Sequence, residues 1–119
     1  GYFVRPEIFL DAEPKSAIMQ DEVFGPVATI TPFDDPEDAI AMANDTRYGL
    51  GASIWTTNLN KVMRYTPRIQ AGTVWVNSHN LPDQNMPFGG FKQSGVGREH
   101  GRAALDNYLE TKSVCIAYN

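Results

Sequence analysis

The sequence of 119 residues contains a single cysteine, Cys115, and no long hydrophobic run. One thiol cannot close an intramolecular disulfide, which favours a reducing, cytoplasmic setting. No apolar stretch is long enough for a transmembrane helix, so we expect no membrane partner. No run of basic residues indicates a nucleic-acid partner either, since 10 lysines and arginines stand against 14 aspartates and glutamates. The composition is therefore that of one small, mildly acidic domain.

Strands and helices are predicted to alternate along the middle of the chain. Short β-branched and apolar runs predict strands at residues 27–33, 49–57 and 73–77, and amphipathic spacing predicts helices at residues 35–44 and 58–70. Asp35 as N-cap and Pro36 at the first helical position mark the start of the first helix. Pro67 should split the last turn of the second helix, which Gly72 should end as a C′ glycine. This order predicts parallel βαβ units of an α/β fold.

Both ends of the chain are predicted to contain extended segments. Residues 1–15 alternate apolar positions, but Pro6 and Pro14 interrupt regular structure there. Residues 98–110 are predicted to form a helix, and residues 112–118 a terminal strand that could pair with another edge. Two helices on one face of a parallel sheet leave the other face uncovered, so we expect an incomplete core.

Residues 86–101 form a glycine-rich segment with five glycines and two phenylalanines. Glycine permits positive φ and close approach to the backbone, which predicts a tight loop. Its spacing resembles the start of a P-loop, but Val96 and Gly97 stand where Lys and Ser/Thr are required. It also begins like a dinucleotide fingerprint, but His100 stands where the third glycine belongs. These mismatches disfavour a small phosphate-binding module and leave a glycine-rich surface loop as the reading from spacing alone.

Residues 87–99, with the sequence Pro-Phe-Gly-Gly-Phe-Lys-Gln-Ser-Gly-Val-Gly-Arg-Glu, resemble the C-terminal signature of the NAD(P)-dependent aldehyde dehydrogenases. Further matches follow in the family's order at residues 1–6, 21–26, 43–44, 48–50 and 71–77. The resemblance implies the C-terminal part of the catalytic domain over residues 1–111, with a parallel βαβαβ unit, a loop and a helix. An oligomerisation strand over residues 112–119 would follow. Because the chain starts at Gly1 within one of these motifs, we expect a fragment.

The resemblance also implies three residues that contact the cofactor, NAD or NADP. Glu22 matches the glutamate that holds the nicotinamide ribose, and Phe24 matches an aromatic that packs beside the nicotinamide. Leu50 matches a leucine on the same side of the cofactor. From the residues alone, an exposed acid in a turn is the favoured interpretation of Glu22, and the resemblance reverses that preference. Its neighbour Asp21 is predicted to be a surface residue.

Two further residues are implied to line the aldehyde tunnel. Phe88 matches an aromatic near the reacting carbon, although a plain core phenylalanine is the alternative. Asn80 falls in the family's variable substrate loop with Leu81 and Pro82. Pro82 stands where an aromatic often stands, so we expect a wider tunnel and hypothesise a bulky, arylacetaldehyde-like substrate. Glu99 matches a position associated with ordering the catalytic water indirectly.

No catalytic nucleophile is predicted within this sequence. In the family a cysteine thiolate attacks the aldehyde, hydride passes to NAD(P)+, and water activated by a glutamate releases the carboxylic acid. Both groups, and the nucleotide-binding domain, are expected upstream of Gly1, so the isolated chain should be inactive. Cys115 is interpreted as a packing residue. His79 and His100 lack neighbouring ligands at metal-site spacing and are predicted to be hydrogen-bonding or solvent-facing.

The resemblance implies a homo-oligomer, either dimer or tetramer, that assembles through the C-terminal strand. Arg98 and Glu110 are predicted to bond other segments or a partner subunit, because twelve positions separate them along the predicted helix. The alternative function is an inactive interaction module that acts through its terminal strand. The choice between NAD and NADP stays open, since the residues that read the adenosine ribose are expected upstream.

Overall fold

The computed structural model describes residues 1–118, and they form a mixed α/β fold of short elements. In chain order the elements are β1 (Glu7–Leu10), α1 (Ala17–Gln20), β2 (Val27–Ile30), α2 (Pro36–Asn44), β3 (Tyr48–Gly49), β4 (Gly51–Ile54), α3 (Leu59–Tyr65), the 3₁₀ helix Thr66–Arg68, β5 (Thr73–Val76), β6 (Phe91–Lys92) and the 3₁₀ helix Arg102–Asn107. None of the helices formed by residues 1–118 has the length and apolar character that crossing a membrane requires.

The strands associate in pairs. Strands β4 and β5 are parallel, with Ser53 opposite Trp75, and this pairing agrees with the predicted βαβ unit. Strand β2 instead pairs in parallel with β1, and β3 pairs antiparallel with β6. The expectation that the strands near residues 27, 51 and 73 form one parallel set is therefore wrong for β2. Apolar periodicity identifies a strand, but it carries no information on which backbone lies beside it.

The two central helices begin as predicted. The Asp35 side chain accepts hydrogen bonds from the amides of Glu37 (2.7 Å) and Asp38 (3.1 Å), and Pro36 occupies the first position of α2. Helix α3 ends at Tyr65, and Pro67 lies in the 3₁₀ helix that follows. The predicted split at Pro67 is confirmed, because proline removes a backbone donor from the last turn.

Gly72 has a different role from the predicted helix-ending one. The helical path already stops before Ile69, whose backbone is extended. A methyl group added at Gly72 would lie 1.6 Å from the carbonyl oxygen of Gly89. Gly72 is therefore required for the close approach of the glycine-rich segment to the start of β5.

The predicted C-terminal elements do not form as expected. A helix cannot start at residue 98, because Glu99 pairs with Phe88 and because His100 and Gly101 have positive φ values of 60° and 55°. Only the short 3₁₀ helix Arg102–Asn107 follows. The predicted strand at 112–118 is absent from the described residues, since no neighbouring edge supplies its hydrogen bonds. Asn119 lies outside the described residues.

The core is as incomplete as expected. Ile69 is the one buried hydrophobic residue among residues 1–118, with 9% of its surface exposed. Large apolar side chains are exposed at many positions along the chain, including Phe24 at 97% and Tyr108 at 85%.

Candidate functional site

A cavity of about 230 Å³ adjoins strand β5 and the segments that follow it. Its lining includes Asn80 and Phe88, so the structure brings together the two residues predicted to contact substrate. The remaining lining residues are Thr73, Val74, Trp75, Leu81, Pro82, Asp83, Met86, Pro87 and His100. Most of these side chains are apolar or aromatic, which is typical of a site for a small organic ligand.

Backbone pairing closes the glycine-rich segment beside this cavity. The amide of Phe88 donates to the carbonyl oxygen of Glu99 (2.8 Å), and the amide of Glu99 donates to that of Phe88 (2.7 Å). The amide of Gly101 then donates to the carbonyl oxygen of Gln84 (2.9 Å). The rings of Phe88 and His100 lie 6.1 Å apart, centroid to centroid. His100 reaches the cavity because its positive φ turns the chain back toward Phe88.

The middle of the glycine-rich segment is tied to the end of α2 and to the residues that follow it. The ammonium of Lys92 donates to the carbonyl oxygens of Asn44 (2.7 Å) and Thr46 (2.9 Å). The hydroxyl of Ser94 accepts a hydrogen bond from the amide of Gly49 (2.9 Å). These bonds fix residues 91–94 against strand β3 and so position the segment that leads to Glu99.

Arg98 packs within the same segment. Its guanidinium donates to the carbonyl oxygens of Gly90 (3.0 Å) and Gly97 (2.7 Å) and lies 5.4 Å from the centre of the Phe91 ring. Both acceptors belong to the glycine-rich segment that contains Arg98 itself, so a bond from Arg98 to another segment or to a partner subunit stays a prediction. Glu110 is exposed, and its part in subunit contacts stays a prediction.

Comparison with known proteins identifies the family. The model of the aldehyde dehydrogenase family matches residues 1–114. The chain belongs to the aldehyde dehydrogenase family. A phenylacetaldehyde dehydrogenase of Pseudomonas fluorescens is 54% identical over 119 residues, which are 99% of this chain and 24% of the relative.

Solved aldehyde dehydrogenase structures have the same fold in this region. An indole-3-acetaldehyde dehydrogenase of P. syringae, in complex with NAD+ and IAA, is 48% identical with a TM-score of 0.88 and covers 94% of this chain. An aldehyde dehydrogenase of Mycobacterium tuberculosis, complexed with NAD+, is 44% identical with a TM-score of 0.92 and covers 98% of this chain. This chain spans 23% and 24% of those two proteins, about a quarter of each.

The predicted cofactor residues of this chain lie apart from the cavity. Glu22 and Phe24 belong to the exposed turn between α1 and β2, and Leu50 lies between β3 and β4 at 45% exposure. Among residues 1–118 none of the three lines the cavity that Asn80 and Phe88 share. Their roles in cofactor binding stay predictions, as does the role of the exposed Glu99.

One ion pair connects the turn of Glu22 to the glycine-rich segment. Asp21, predicted as a surface residue, is half exposed and pairs with the guanidinium of Arg47. The carbonyl oxygen of Arg47 accepts a hydrogen bond from the amide of Gln93 (2.9 Å). Asp21 therefore links the turn that carries Glu22 with the glycine-rich segment.

The histidines and the cysteine of this family member differ in their surroundings. Nδ1 of His79 lies 2.7 Å from the Ser53 hydroxyl, which confirms His79 as a hydrogen-bonding histidine. His100 lines the cavity, and sequence reasoning missed this; its place directly after Glu99 in the signature was the available signal. Within residues 1–118 no group of three or more potential ligands could hold a metal ion. Cys115 is exposed, so its prediction as a packing residue is wrong, because no strand forms around it.

Proposed function

We propose that this chain forms the substrate-tunnel wall and part of the cofactor surface of an enzyme that oxidises an aldehyde to a carboxylic acid with NAD+ or NADP+. The observation that supports it is the shared cavity of Asn80 and Phe88, which come from separate segments. The resemblance to the family implies a place in the aldehyde tunnel for both residues. The largely apolar lining would desolvate the aldehyde, which strengthens polar interactions at the reacting carbonyl.

The chemistry needs groups beyond the residues of this chain. A thiolate would form the C–S bond to the aldehyde carbon, and water would later release the acid. NAD(P)+, when bound, supplies the acceptor for the hydride. Cys115 is exposed and does not line the cavity, so we assign it no part in this step.

Glu22 and Phe24 have the exposure and chemistry that the nicotinamide end of the cofactor requires. The carboxylate of Glu22 is exposed and able to accept hydrogen bonds from both hydroxyls of a ribose. The Phe24 ring is 97% exposed and offers an aromatic surface. The link from Asp21 through Arg47 to Gln93 would hold this turn in a fixed position relative to the glycine-rich segment.

The substrate class we propose is an arylacetaldehyde. The relative from Pseudomonas fluorescens is a phenylacetaldehyde dehydrogenase, and the P. syringae structure is an indole-3-acetaldehyde dehydrogenase. Pro82 lines the cavity where the resemblance leads one to expect an aromatic side chain, and the smaller proline leaves room for an aryl group.

The test is steady-state kinetics of the whole protein with phenylacetaldehyde and acetaldehyde. We expect NAD(P)H formation with a higher kcat/KM for phenylacetaldehyde. Pro82→Phe should lower the ratio of kcat/KM for phenylacetaldehyde to kcat/KM for acetaldehyde by about tenfold or more, so that acetaldehyde becomes the preferred substrate. Pro82→Ala should keep the preference for phenylacetaldehyde. A preference of the unaltered protein for acetaldehyde would contradict the aryl substrate, and failure to oxidise any aldehyde would contradict the activity.

The cofactor assignment has a separate test. Glu22→Gln should raise the KM for the cofactor by roughly tenfold, because hydrogen bonds to a charged acceptor contribute about 1.5–3 kcal/mol. Glu13→Gln alters another exposed acid and should leave that KM unchanged. Equal effects of the two substitutions would argue against a specific contact at Glu22.

We also propose that the C-terminal residues pair with another subunit. Val114, Ile116 and Tyr118 alternate with small or polar residues in the sequence, and they are 75%, 68% and 92% exposed, so three apolar side chains are available to an edge of another subunit. Ile116→Asp should lower the assembly mass in analytical ultracentrifugation, and Ser113→Asp is the matched control. An unchanged mass for Ile116→Asp would contradict assembly through this segment.

A further inference from the structure

The loop that carries Asn80 and Leu81 into the cavity is held by a serine and a histidine. Ser53 lies on β4, directly opposite Trp75 on β5. Its hydroxyl is 2.7 Å from Nδ1 of His79, the residue that precedes Asn80. This contact joins the loop after β5 to the neighbouring strand, 26 residues earlier in the sequence.

Trp75 forms the other side of this arrangement. Its ring contacts the imidazole of His79 edge-on, with centroids 5.3 Å apart and planes at 63°. Its Nε1 donates to the carbonyl oxygen of Leu81 (3.0 Å). The indole also covers Gly51 so closely that a methyl group there would lie 2.7 Å from a ring atom. The imidazole is therefore placed between two fixed neighbours, the Ser53 hydroxyl and the indole edge.

A contact between serine and histidine could also indicate a base-activated nucleophile. Such a site requires a third group that orients the imidazole, and a pocket of hydrogen-bond donors for the developing oxyanion. No acidic side chain of residues 1–118 forms a hydrogen bond with His79, and Ser53 is not among the residues that line the cavity. The arrangement therefore favours a structural role for the pair.

We propose that Ser53 and His79 are positioning residues that hold the cavity wall at Asn80–Leu81 and thereby determine the selectivity for the aldehyde. The effect on substrate selectivity rests on the proposed function. The effect on the loop does not, since it follows from the hydrogen bond itself. Without that bond, the loop beyond Asn77 is held to β5 by the indole contact with Leu81, and the cavity wall gains freedom.

The experiment compares four single variants and one double variant of the whole protein. Ser53→Ala and His79→Phe each remove the hydrogen bond, and phenylalanine keeps a ring beside Trp75. His79→Asn places an amide near the position of Nδ1 and can preserve the bond. Ser78→Ala is the matched control, because it removes a hydroxyl from the same loop whose contact, with the Val76 carbonyl oxygen, is long at 3.4 Å.

Two readouts are measured, namely hydrogen exchange of the Trp75 indole N–H, which donates to the Leu81 carbonyl oxygen of this loop, and the ratio of kcat/KM for phenylacetaldehyde to that for acetaldehyde. Ser53→Ala and His79→Phe should each accelerate exchange about tenfold and lower the ratio about tenfold, mainly through KM for phenylacetaldehyde. The double variant that combines Ser53→Ala with His79→Phe should show the same exchange rate and the same ratio as either single variant, because both substitutions remove the same bond. His79→Asn and Ser78→Ala should resemble the unaltered protein.

Unchanged exchange in both Ser53→Ala and His79→Phe would overturn the proposal, as would additive effects in the double variant. Accelerated exchange with an unchanged kcat/KM ratio would overturn the role in selectivity. If the unaltered protein oxidises no aldehyde, the proposed function fails, whereas the exchange data still decide whether the pair holds the loop.

Discussion

Phe88 and Glu99 exchange two backbone hydrogen bonds, of 2.8 and 2.7 Å, across the glycine-rich segment. Phe88 lines the cavity, and Glu99 is the residue associated by resemblance with the catalytic water. The pairing makes residues 89–98 a closed loop whose two ends are the two predicted site residues. The two hydrogen bonds therefore fix the backbone of Glu99 beside that of Phe88.

The first prediction concerns the close approach that seats this loop. Gly72→Ala would place a methyl group 1.6 Å from the carbonyl oxygen and 2.8 Å from the carbonyl carbon of Gly89. Backbone cannot move aside as a flexible side chain can, so we expect a loss of about 3 kcal/mol or more in the free energy of unfolding. Urea unfolding of the whole protein measures it.

The matched control is Gly25→Ala. A methyl group at Gly25 would meet no atom within 4 Å, so stability should stay within about 0.5 kcal/mol. Similar losses at Gly72 and Gly25 would show that the contact with Gly89 is not the cause.

The sequence predicts those elements whose signals are local. Asp35 with Pro36 defines a helix start, and Pro67 defines a break, because each acts through its own backbone or side chain within one turn. The role of Gly72 could not be predicted in this way, since it depends on Gly89, which is remote in the sequence. The predicted pairing of β2 was wrong for the same reason, since the partner of a strand is also remote from it in the sequence.

The same distinction between local signals and remote contacts applies to the candidate site. Asn80 and Phe88 were identified through motif resemblance, and the structure places both at one cavity. His100 was missed because a positive φ, which local sequence does not specify for histidine, turns it toward Phe88. The contact of Ser53 with His79 depends on the register of β4 and β5, which periodicity alone does not determine.

The second prediction concerns the pH dependence of an ion-pair network between α2 and α3. The hydrogen-bonded guanidinium of Arg68 is the main cause that holds the pKa of Glu37 below its ordinary 4.5, and Arg64 contributes a weaker effect. A lowered folded-state pKa stabilises the fold above pH 4.5, and this contribution is lost as the pH falls through the lowered pKa.

The substitution Glu37→Gln should therefore lower Tm slightly at pH 7, on the order of a degree or two because the pair is solvent-exposed. The difference from the unaltered protein should vanish well below pH 4.5. Thermal unfolding followed by circular dichroism between pH 7 and pH 3 measures it. Glu13→Gln is the control, and a difference that persists at the lowest pH would contradict the ion pair as its source.

The third prediction concerns Lys92, which ties the glycine-rich segment to the end of α2 and the residues that follow it. Lys92→Met keeps the length of the side chain and removes the hydrogen bonds to the carbonyl oxygens of Asn44 and Thr46. We expect a loss of about 1–2 kcal/mol in the free energy of unfolding and faster hydrogen exchange of residues 91–94. Lys61→Met, on the exposed surface of α3, should show neither effect.

The fourth prediction concerns Asn77, where the chain turns from β5 into the cavity loop. Asn77 has φ of 52°, and its amide side chain accepts from the amide of Thr56 (2.8 Å) and donates to its carbonyl oxygen (2.9 Å). Asn77→Gly removes both hydrogen bonds but tolerates positive φ, so it should cost about 1–2 kcal/mol. Asn77→Ala adds the left-handed backbone penalty of about 1–2 kcal/mol and should cost about 3 kcal/mol in total.

Unfolding midpoints of the two Asn77 variants separate these contributions. Asn60→Ala, on α3, serves as the control and should be close to neutral. Equal losses for Asn77→Gly and Asn77→Ala would mean that the backbone relaxes out of the left-handed region. In the unaltered protein, the shape of this turn would then depend on the hydrogen bonds between Asn77 and Thr56 alone. The direction in which Asn80 enters the cavity would depend on the same two bonds.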